Sequence, residues 1–202
     1  MYDLPSRSSC SPLFVNLPAA MPNTILVLYA HPDAHLSRVN GRLAERARTI
    51  DGVQVHNLYD TYPDFSIDVG REQALLASAD VIVFLHPIQW YSMPSLLKEW
   101  VDTVLQPGWA YGAGGNALTG KTYWLVVTTG SAEQAYRAGG PHEHPFAHYL
   151  PPFKQIAALC GMVWETPHIL HGAHHVNEAA LQAHVDAFAA RLAAFSSSSR
   201  QG

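Results

Sequence analysis

The chain has 202 residues, 48% of them hydrophobic and only 14% charged, a balance that fits one compact domain with a large core and little charge to keep a monomer's surface wet. A formal net charge of −4 excludes a basic nucleic-acid-binding face and gives no strongly acidic docking surface. The two cysteines, Cys10 and Cys160, make neither a metal-binding spacing nor a disulfide framework, which fits a reducing compartment, and no stretch approaches the ~20 apolar residues of a membrane span.

Residues 1–22 are rich in Ser, Pro and small apolar residues, with neither a basic start nor an unbroken apolar run long enough for a secretory signal. They read as a disordered extension, and Met21, just before the first strand, is a second candidate start of translation. Residues 23–195 read as the domain. Thr24 to Tyr29 is a continuous apolar strand, followed by a loop, AHPDAHLSRVN, that turns into the helical pattern of Val39, Leu43, Ala47 and Ile50. Val53 to Asn57 gives the next strand and completes a right-handed βαβ unit. Leu58 to Ile67 is irregular and aromatic and leads into a helix over about Asp68 to Ala77.

Val81 to Leu85 suits a strand buried on both faces of a parallel sheet. From Pro94 the apolar residues Leu96, Leu97, Trp100, Val101 and Val104 recur at helical spacing, with Pro94 placed for a first turn. Glycines at 108, 112, 114, 115 and 120 make a loop or small hairpin. Lys121 to Thr128 is a fourth buried strand. Ala147 to Cys160 reads as a helix whose start Pro151 and Pro152 kink or delay, Met162 to Leu170 as a fifth strand, and Asn177 as the cap of a last helix with a stripe through Leu181, Val185, Phe188, Leu192 and Phe195. Residues 196–202 read as a serine-rich disordered tail. Five strands alternating with helices, without repeats, argue one doubly wound α/β domain.

In such a sheet the loops after the first, third and fourth strands gather where strand order reverses. The first holds Ser37, Arg38 and Asn40 at a helix opening, where free amides and the helix dipole favour an anion such as a phosphate; an ordinary Ser37 N-cap is the plainer alternative. The second holds His86, Ile88, Gln89, Trp90 and Tyr91. Its adjacent aromatics either plug the core or a subunit contact, or form a platform for a planar ring. The third, Thr128-Thr129-Gly130-Ser131, offers small residues and closely approachable amides. A phosphate seat, an aromatic wall and an amide rim together suit flavin mononucleotide. Neither a Gly-x-Gly-x-x-Gly dinucleotide fingerprint nor a P-loop is present.

The ordered motifs AHP with S-R-V-N, HPIQWYSMPSLLKEW, GWAYG and TTG resemble the flavodoxin-like NAD(P)H:quinone oxidoreductases, and among them the ancillary oxidoreductase subunits of bacterial glutathione-regulated potassium-efflux systems, over about Ile25 to Phe195. The resemblance implies a single flavodoxin-like α/β domain, a five-stranded parallel sheet of order 2-1-3-4-5 with helices on both faces. It also implies bound FMN rather than FAD, NADH or NADPH as co-substrate, a quinone acceptor, and a homodimer with active sites near the subunit interface. A cytoplasmic location follows, peripheral to the membrane if a potassium-efflux antiporter is the partner. His31, Ser37, Arg38, Val39 and Asn40 would surround the phosphate and ribityl chain, Ile88, Gln89, Trp90 and Tyr91 the ring, and Thr128, Thr129, Gly130 and Ser131 its pyrimidine edge. Tyr136 and His142 fall where the larger quinone reductases carry a catalytic Tyr and His. Two departures stand out: Ser131 replaces a second glycine, and the Pro141 to Pro145 run is unusually rich in His.

Preorganised donors beside a flavin's N1 and O2 stabilise the negative charge that hydride transfer develops there, which gives Tyr136 and His142 their roles in a ping-pong cycle. The alternative is a regulatory antiporter subunit in which flavin is mainly structural. Two histidine sets, His142, His144 and His148, and His168, His171, His174 and His175, invite a metal reading, but neither has a paired Cys or a His-Glu-x-x-His helix, and no metal is expected. Cys160 reads as a buried small apolar residue.

Overall fold

The computed structural model describes residues 22–198, so the expected disordered extension, apart from Pro22, and the last four residues lie outside the described residues. The element order is β1 (Ile25–Tyr29), α1 (Arg38–Ala47), β2 (Val53–Asn57), α2 (Leu58–Thr61), α3 (Val69–Ser78), β3 (Val81–Pro87), α4 (Ser95–Val104), β4 (Thr122–Thr128), α5 (Pro151–Leu159), β5 (Val163–Trp164), β6 (His168–Leu170) and α6 (Glu178–Ser197). Among the described residues the pairings between these strands are all parallel, in the order β2-β1-β3-β4-β5, with β6 also on β4. This is the expected doubly wound order.

The inner strands are apolar throughout because both faces are covered. Ile25, Val27, Val81, Val83, Trp124 and Val126 pack against α1 and α6, which contribute Leu43, Ala47, Leu181, Val185, Phe188 and Leu192. Alternate residues Leu26, Leu28, Ile82, Phe84, Tyr123 and Leu125 face α3, α4 and α5, meeting Leu76, Leu97, Trp100, Phe153 and Ala157. Trp100, Trp124, Phe84, Phe153 and Phe188 are among the largest side chains fully removed from water, each contributing about 1.5–3 kcal/mol of transfer free energy.

A polar knot pins the second layer. Glu72 of α3 is fully buried, and its carboxylate accepts from Tyr62 Oη (2.6 Å), Trp100 Nε1 (2.8 Å) and His56 Nε2 (2.9 Å). Burial alone would raise the Glu72 pKa, but the three donors outweigh it and hold the carboxyl below its ordinary value. Burial, and after it the same carboxylate, push the Tyr62 phenol up to about 12.

Several elements depart from the sequence reading. The helix expected to start with Pro94 has Pro94 as its N-cap residue. The helix expected from Ala147 is divided into a 3-10 turn, Phe146–Tyr149, and α5, because Pro151 and Pro152 occupy its N1 and N2 positions, where a missing N–H is tolerated. The single fifth strand is two short ones, because Pro167 cannot donate to the ladder and the Thr166 carbonyl instead accepts the Trp124 indole N–H at 3.0 Å. Finally, α6 runs through Ser197, two residues into the expected tail. Among the described residues no helix is long and apolar enough to cross a membrane.

Register sets where chemistry can occur. Tyr29 lies level with Leu85, and Pro87 level with Thr128, so β1, β3 and β4 deliver their following loops to one edge.

Candidate functional site

At that edge α1 opens without a side-chain cap. Ser37 is the N-cap residue but does not cap; its Oγ accepts from Tyr29 Oη at 2.8 Å. The first helical backbone bond runs from Gly41 N–H to Ser37 C=O at 3.0 Å, so the amides of Arg38, Val39 and Asn40 are those an outside acceptor would meet. The Val39 side chain is core, and the Arg38 guanidinium is drawn away to the Val176 carbonyl (2.8 Å) and Glu178. Both residues therefore offer this opening their amides rather than their side chains. Asn40 is buried; its Nδ2 donates to Thr128 Oγ1 at 3.1 Å, tying α1 to the end of β4, while its Oδ1 has no partner. His31 stands at the loop's start, its Nδ1 accepting from the Asp33 amide at 3.1 Å, with burial lowering its pKa.

The loop after β3 is a tight turn closed by reciprocal Gln89–Ser92 backbone bonds, both 3.0 Å. Its central residues, Trp90 (φ 47°) and Tyr91 (φ 65°), both occupy the left-handed region, where Asn and Gly would be expected. Such backbone costs about 1–3 kcal/mol per residue. Trp90 is also 93% exposed, so nothing among the described residues offsets its strain by burial. Tyr91 is 44% exposed and stacks on Tyr149 at 5.0 Å between ring centroids. Ile88 is half-buried and its amide donates to the Thr128 carbonyl at 2.8 Å. Beside it, at the end of β3, His86 is wholly buried, with Nδ1 on the Pro87 carbonyl (2.9 Å) and Nε2 unpartnered; burial lowers its pKa to about 4.

The third loop carries the two residues singled out for catalysis, and they meet. Tyr136 and His142 stack at 4.3 Å between centroids, 16° from parallel. His142 is held on every side: Nε2 lies 2.8 Å from Ser131 Oγ, Nδ1 3.4 Å from Tyr91 Oη, and its carbonyl accepts from Tyr149 Oη at 2.6 Å. Ser131, the departure from the family's glycine, thus partners His142. Because hydroxyls both donate and accept, either neutral tautomer, or the imidazolium, is satisfied by rotating two O–H groups. Burial raises the Tyr136 pKa, with the neighbouring Thr129 hydroxyl working the other way. His174 lies over Gly130, so a Cβ there would stand 3.1 Å from His174 Nε2.

Three contributors carried no sequence signal for this site. Tyr149 read as a helix residue, Phe146 as the end of the His-rich loop before it, and His171 as one of a metal set; the fold packs all three around Tyr136. Among the described residues no group of three His, Cys, Asp or Glu side chains could hold a metal ion. Two depressions elsewhere, ≈ 250 Å³ beneath β1 and β2 and ≈ 510 Å³ between α5 and the β5–β6 connection, contain none of these residues.

The donor set fits FMN. Open first-turn amides suit a phosphate, the unpartnered Asn40 Oδ1 suits a ribityl hydroxyl, and an exposed aromatic turn suits a planar ring.

The family model for the flavodoxin-like fold matches residues 23–192. The glutathione-regulated potassium-efflux system ancillary protein KefG of Serratia proteamaculans is 46% identical over 169 residues, 84% of this chain and 92% of that protein. Among solved structures, general stress protein 14 of Treponema denticola in complex with FMN superposes with a TM-score of 0.78 at 36% identity, covering 85% of this chain and 99% of that one. An NADPH-quinone reductase from P. pentosaceus gives a TM-score of 0.75 at 28% identity, covering 83% and 96%. The chain belongs to the flavodoxin-like family that contains these potassium-efflux ancillary proteins and NAD(P)H:quinone reductases.

Proposed function

We propose that the protein is an FMN-dependent NAD(P)H:quinone oxidoreductase that also serves as the ancillary subunit of a potassium-efflux antiporter, a role suggested by relatives named as glutathione-regulated potassium-efflux system ancillary proteins. The observation that carries the enzymatic part is the meeting of Tyr136 and His142, stacked at 4.3 Å, at the sheet edge where α1 opens its amides. FMN, when bound, supplies the two-electron chemistry that links NAD(P)H to a quinone.

The residues divide the remaining work. The Arg38, Val39 and Asn40 amides and the α1 dipole hold a phosphate dianion without needing a free cation, since Arg38 and Arg42 are both committed to Glu178. Asn40 couples that seat to Thr128. Trp90, Tyr91, Gln89 and Ile88 exclude water from one side of a ring. Gly130 and Ser131 bring backbone amides to its polar edge, the Thr129 amide being committed to the Leu170 carbonyl, and there Tyr136 Oη, and a His142 ring N–H once it leaves its hydroxyl partner, donate to developing negative charge.

Stopped-flow reduction by NAD(P)H tests this. Removing one preorganised donor costs about 10²–10³ in rate at the strong end; Tyr136→Phe and His142→Ala are each expected to slow flavin reduction by roughly tenfold or more with FMN still bound. Unchanged rates in both would remove the assignment. The antiporter role is favoured by the relatives' name alone, and is tested by potassium efflux from cells carrying the antiporter with and without this chain.

A further inference from the structure

Three of the four non-glycine residues with positive φ among the described residues lie in two loops of the site: Trp90 and Tyr91 after β3, and Glu143 (φ 58°) after β4. Glu143 is the centre of a γ-turn, its neighbour His144 donating an amide N–H to the His142 carbonyl at 2.6 Å. A γ-turn with positive φ is the rare, strained kind. Backbone strain of this sort persists where surrounding contacts hold it, and the Tyr149 side chain touches both loops.

Tyr149 closes the 3-10 turn that leads into α5, and α5 is fixed in the core by Phe153 and Ala157. From that footing its hydroxyl donates to the His142 carbonyl at 2.6 Å, so both lone pairs of this oxygen are filled, one by His144 N–H and one by Tyr149. Its half-buried ring stacks on Tyr91 at 5.0 Å between centroids, 26° from parallel. Tyr136 and Phe146 meet the same ring at 6.1 and 6.2 Å. A residue that merely filled space here would need no hydroxyl. Tyr149 commits its proton to the backbone of His142, whose ring carries the contacts to Ser131 Oγ and Tyr91 Oη.

We infer that Tyr149 is a positioning residue that clamps the aromatic turn to the His142 loop: its ring sets Tyr91, part of the wall of the proposed flavin site, and its hydroxyl sets the His142 backbone. It acts through those two residues rather than on flavin or substrate. The clamp is present in the flavin-free protein, whereas its effect on turnover rests on the roles proposed for Tyr91 and His142.

The direct test needs no flavin. His142-Glu143 is the only His-Glu pair in the chain, so the full chain labelled with ¹³C-carbonyl histidine and ¹⁵N glutamate gives one carbonyl-to-amide correlation, that of the His142 carbonyl. In Tyr149→Phe this carbonyl signal should move upfield, as a carbonyl does on losing a donor; a signal that stays in place overturns the inference. Titration with FMN reads the ring. Tyr149→Phe, which keeps the stack, should bind within about twofold of wild type, and Tyr149→Leu about threefold to tenfold more weakly. Wild-type affinity in Tyr149→Leu would show that the ring does not hold Tyr91. With FMN bound, Tyr149→Phe should slow flavin reduction about threefold to tenfold without changing the NAD(P)H concentration that half-saturates it, and an unchanged rate would refute the positioning role. Should Tyr149→Leu fail to fold, Tyr149→Phe still carries the carbonyl and rate readouts. A wild type that takes up no FMN, or does not reduce it, counts against the proposed function, and the carbonyl signal still decides the clamp.

Discussion

Trp90 and Tyr91 show how a single residue choice can oppose stability and serve binding. Two left-handed residues in a two-residue turn call for Asn-Gly, whose backbones enter that region at little cost. The chain places its two bulkiest alternatives there, and Trp90 recovers almost nothing by burial. Strain held in place by closing bonds at Gln89 and Ser92 is explained if a ligand face covers the indole. Trp90→Asn should therefore raise the stability of the flavin-free protein by about 1 kcal/mol, seen as a higher melting temperature, while weakening FMN affinity. A variant that melted lower and bound FMN as tightly would contradict this reading. The importance of this pair was legible in the sequence, because adjacent aromatics in a strand-to-helix loop are costly to expose. Their positive φ was not, since nothing in Trp-Tyr signals a primed turn. Ser131 shows the converse: its departure from glycine was visible, but the partner that explains it, His142, lies eleven positions away in a loop whose path only tertiary packing fixes.

Between elements, the buried Glu72 carboxylate ties α3 to three other segments. It joins α3 to β2 through His56, to the segment after α2 through Tyr62 and to α4 through Trp100. Glu72→Gln would keep the shape but replace one acceptor oxygen with a donor facing groups that also donate, leaving buried partners unsatisfied. The expected loss is about 2–4 kcal/mol by chemical denaturation, against well under 1 kcal/mol for an exposed glutamate such as Glu99. Equal effects at the two positions would show that the knot is not what holds α3 and α4 together. None of this could be read from the chain in order, because an acidic residue in an amphipathic helix reads as solvated, and its three donors come from three other segments. The continuous apolar strands were legible for the opposite reason. Burial on both faces leaves a local signature in Ile25–Tyr29, Val81–Leu85 and Thr122–Thr128 that needs no knowledge of the partner. The division of the last strand turned on one proline and one indole bond, too local for periodicity to resolve.

For the whole molecule, buried histidines set the response to acid. His86, fully buried, and His184, stacked on His168 at 3.8 Å, both have pKa values lowered to about 4, chiefly by desolvation. A histidine in the unfolded chain titrates near 6.5, so between about pH 6.5 and 4 the unfolded state binds the extra protons, and stability falls as pH falls through that window. Glu72 acts lower. Its folded pKa is depressed, so its contribution is present above the unfolded carboxyl pKa and is lost as pH drops through the folded value. His86→Leu removes one such proton and should reduce the slope of unfolding free energy against pH by up to about 1.4 kcal/mol per unit within that window. A slope identical to wild type would show that His86 is not neutral in the folded protein.

The same scale holds the question of activity, since the phosphate seat, the aromatic turn and the Tyr136–His142 pair come from three loops that only the assembled sheet brings to one edge. The most direct measurement is the visible spectrum of the purified protein supplied with FMN, followed anaerobically through addition of NADH or NADPH and then of a soluble quinone. Flavin absorbance that bleaches with the pyridine nucleotide and returns with the quinone is the expected result. A protein that takes up no FMN, or whose bound flavin neither nucleotide reduces, would contradict the account and leave the site as a binding surface without redox chemistry.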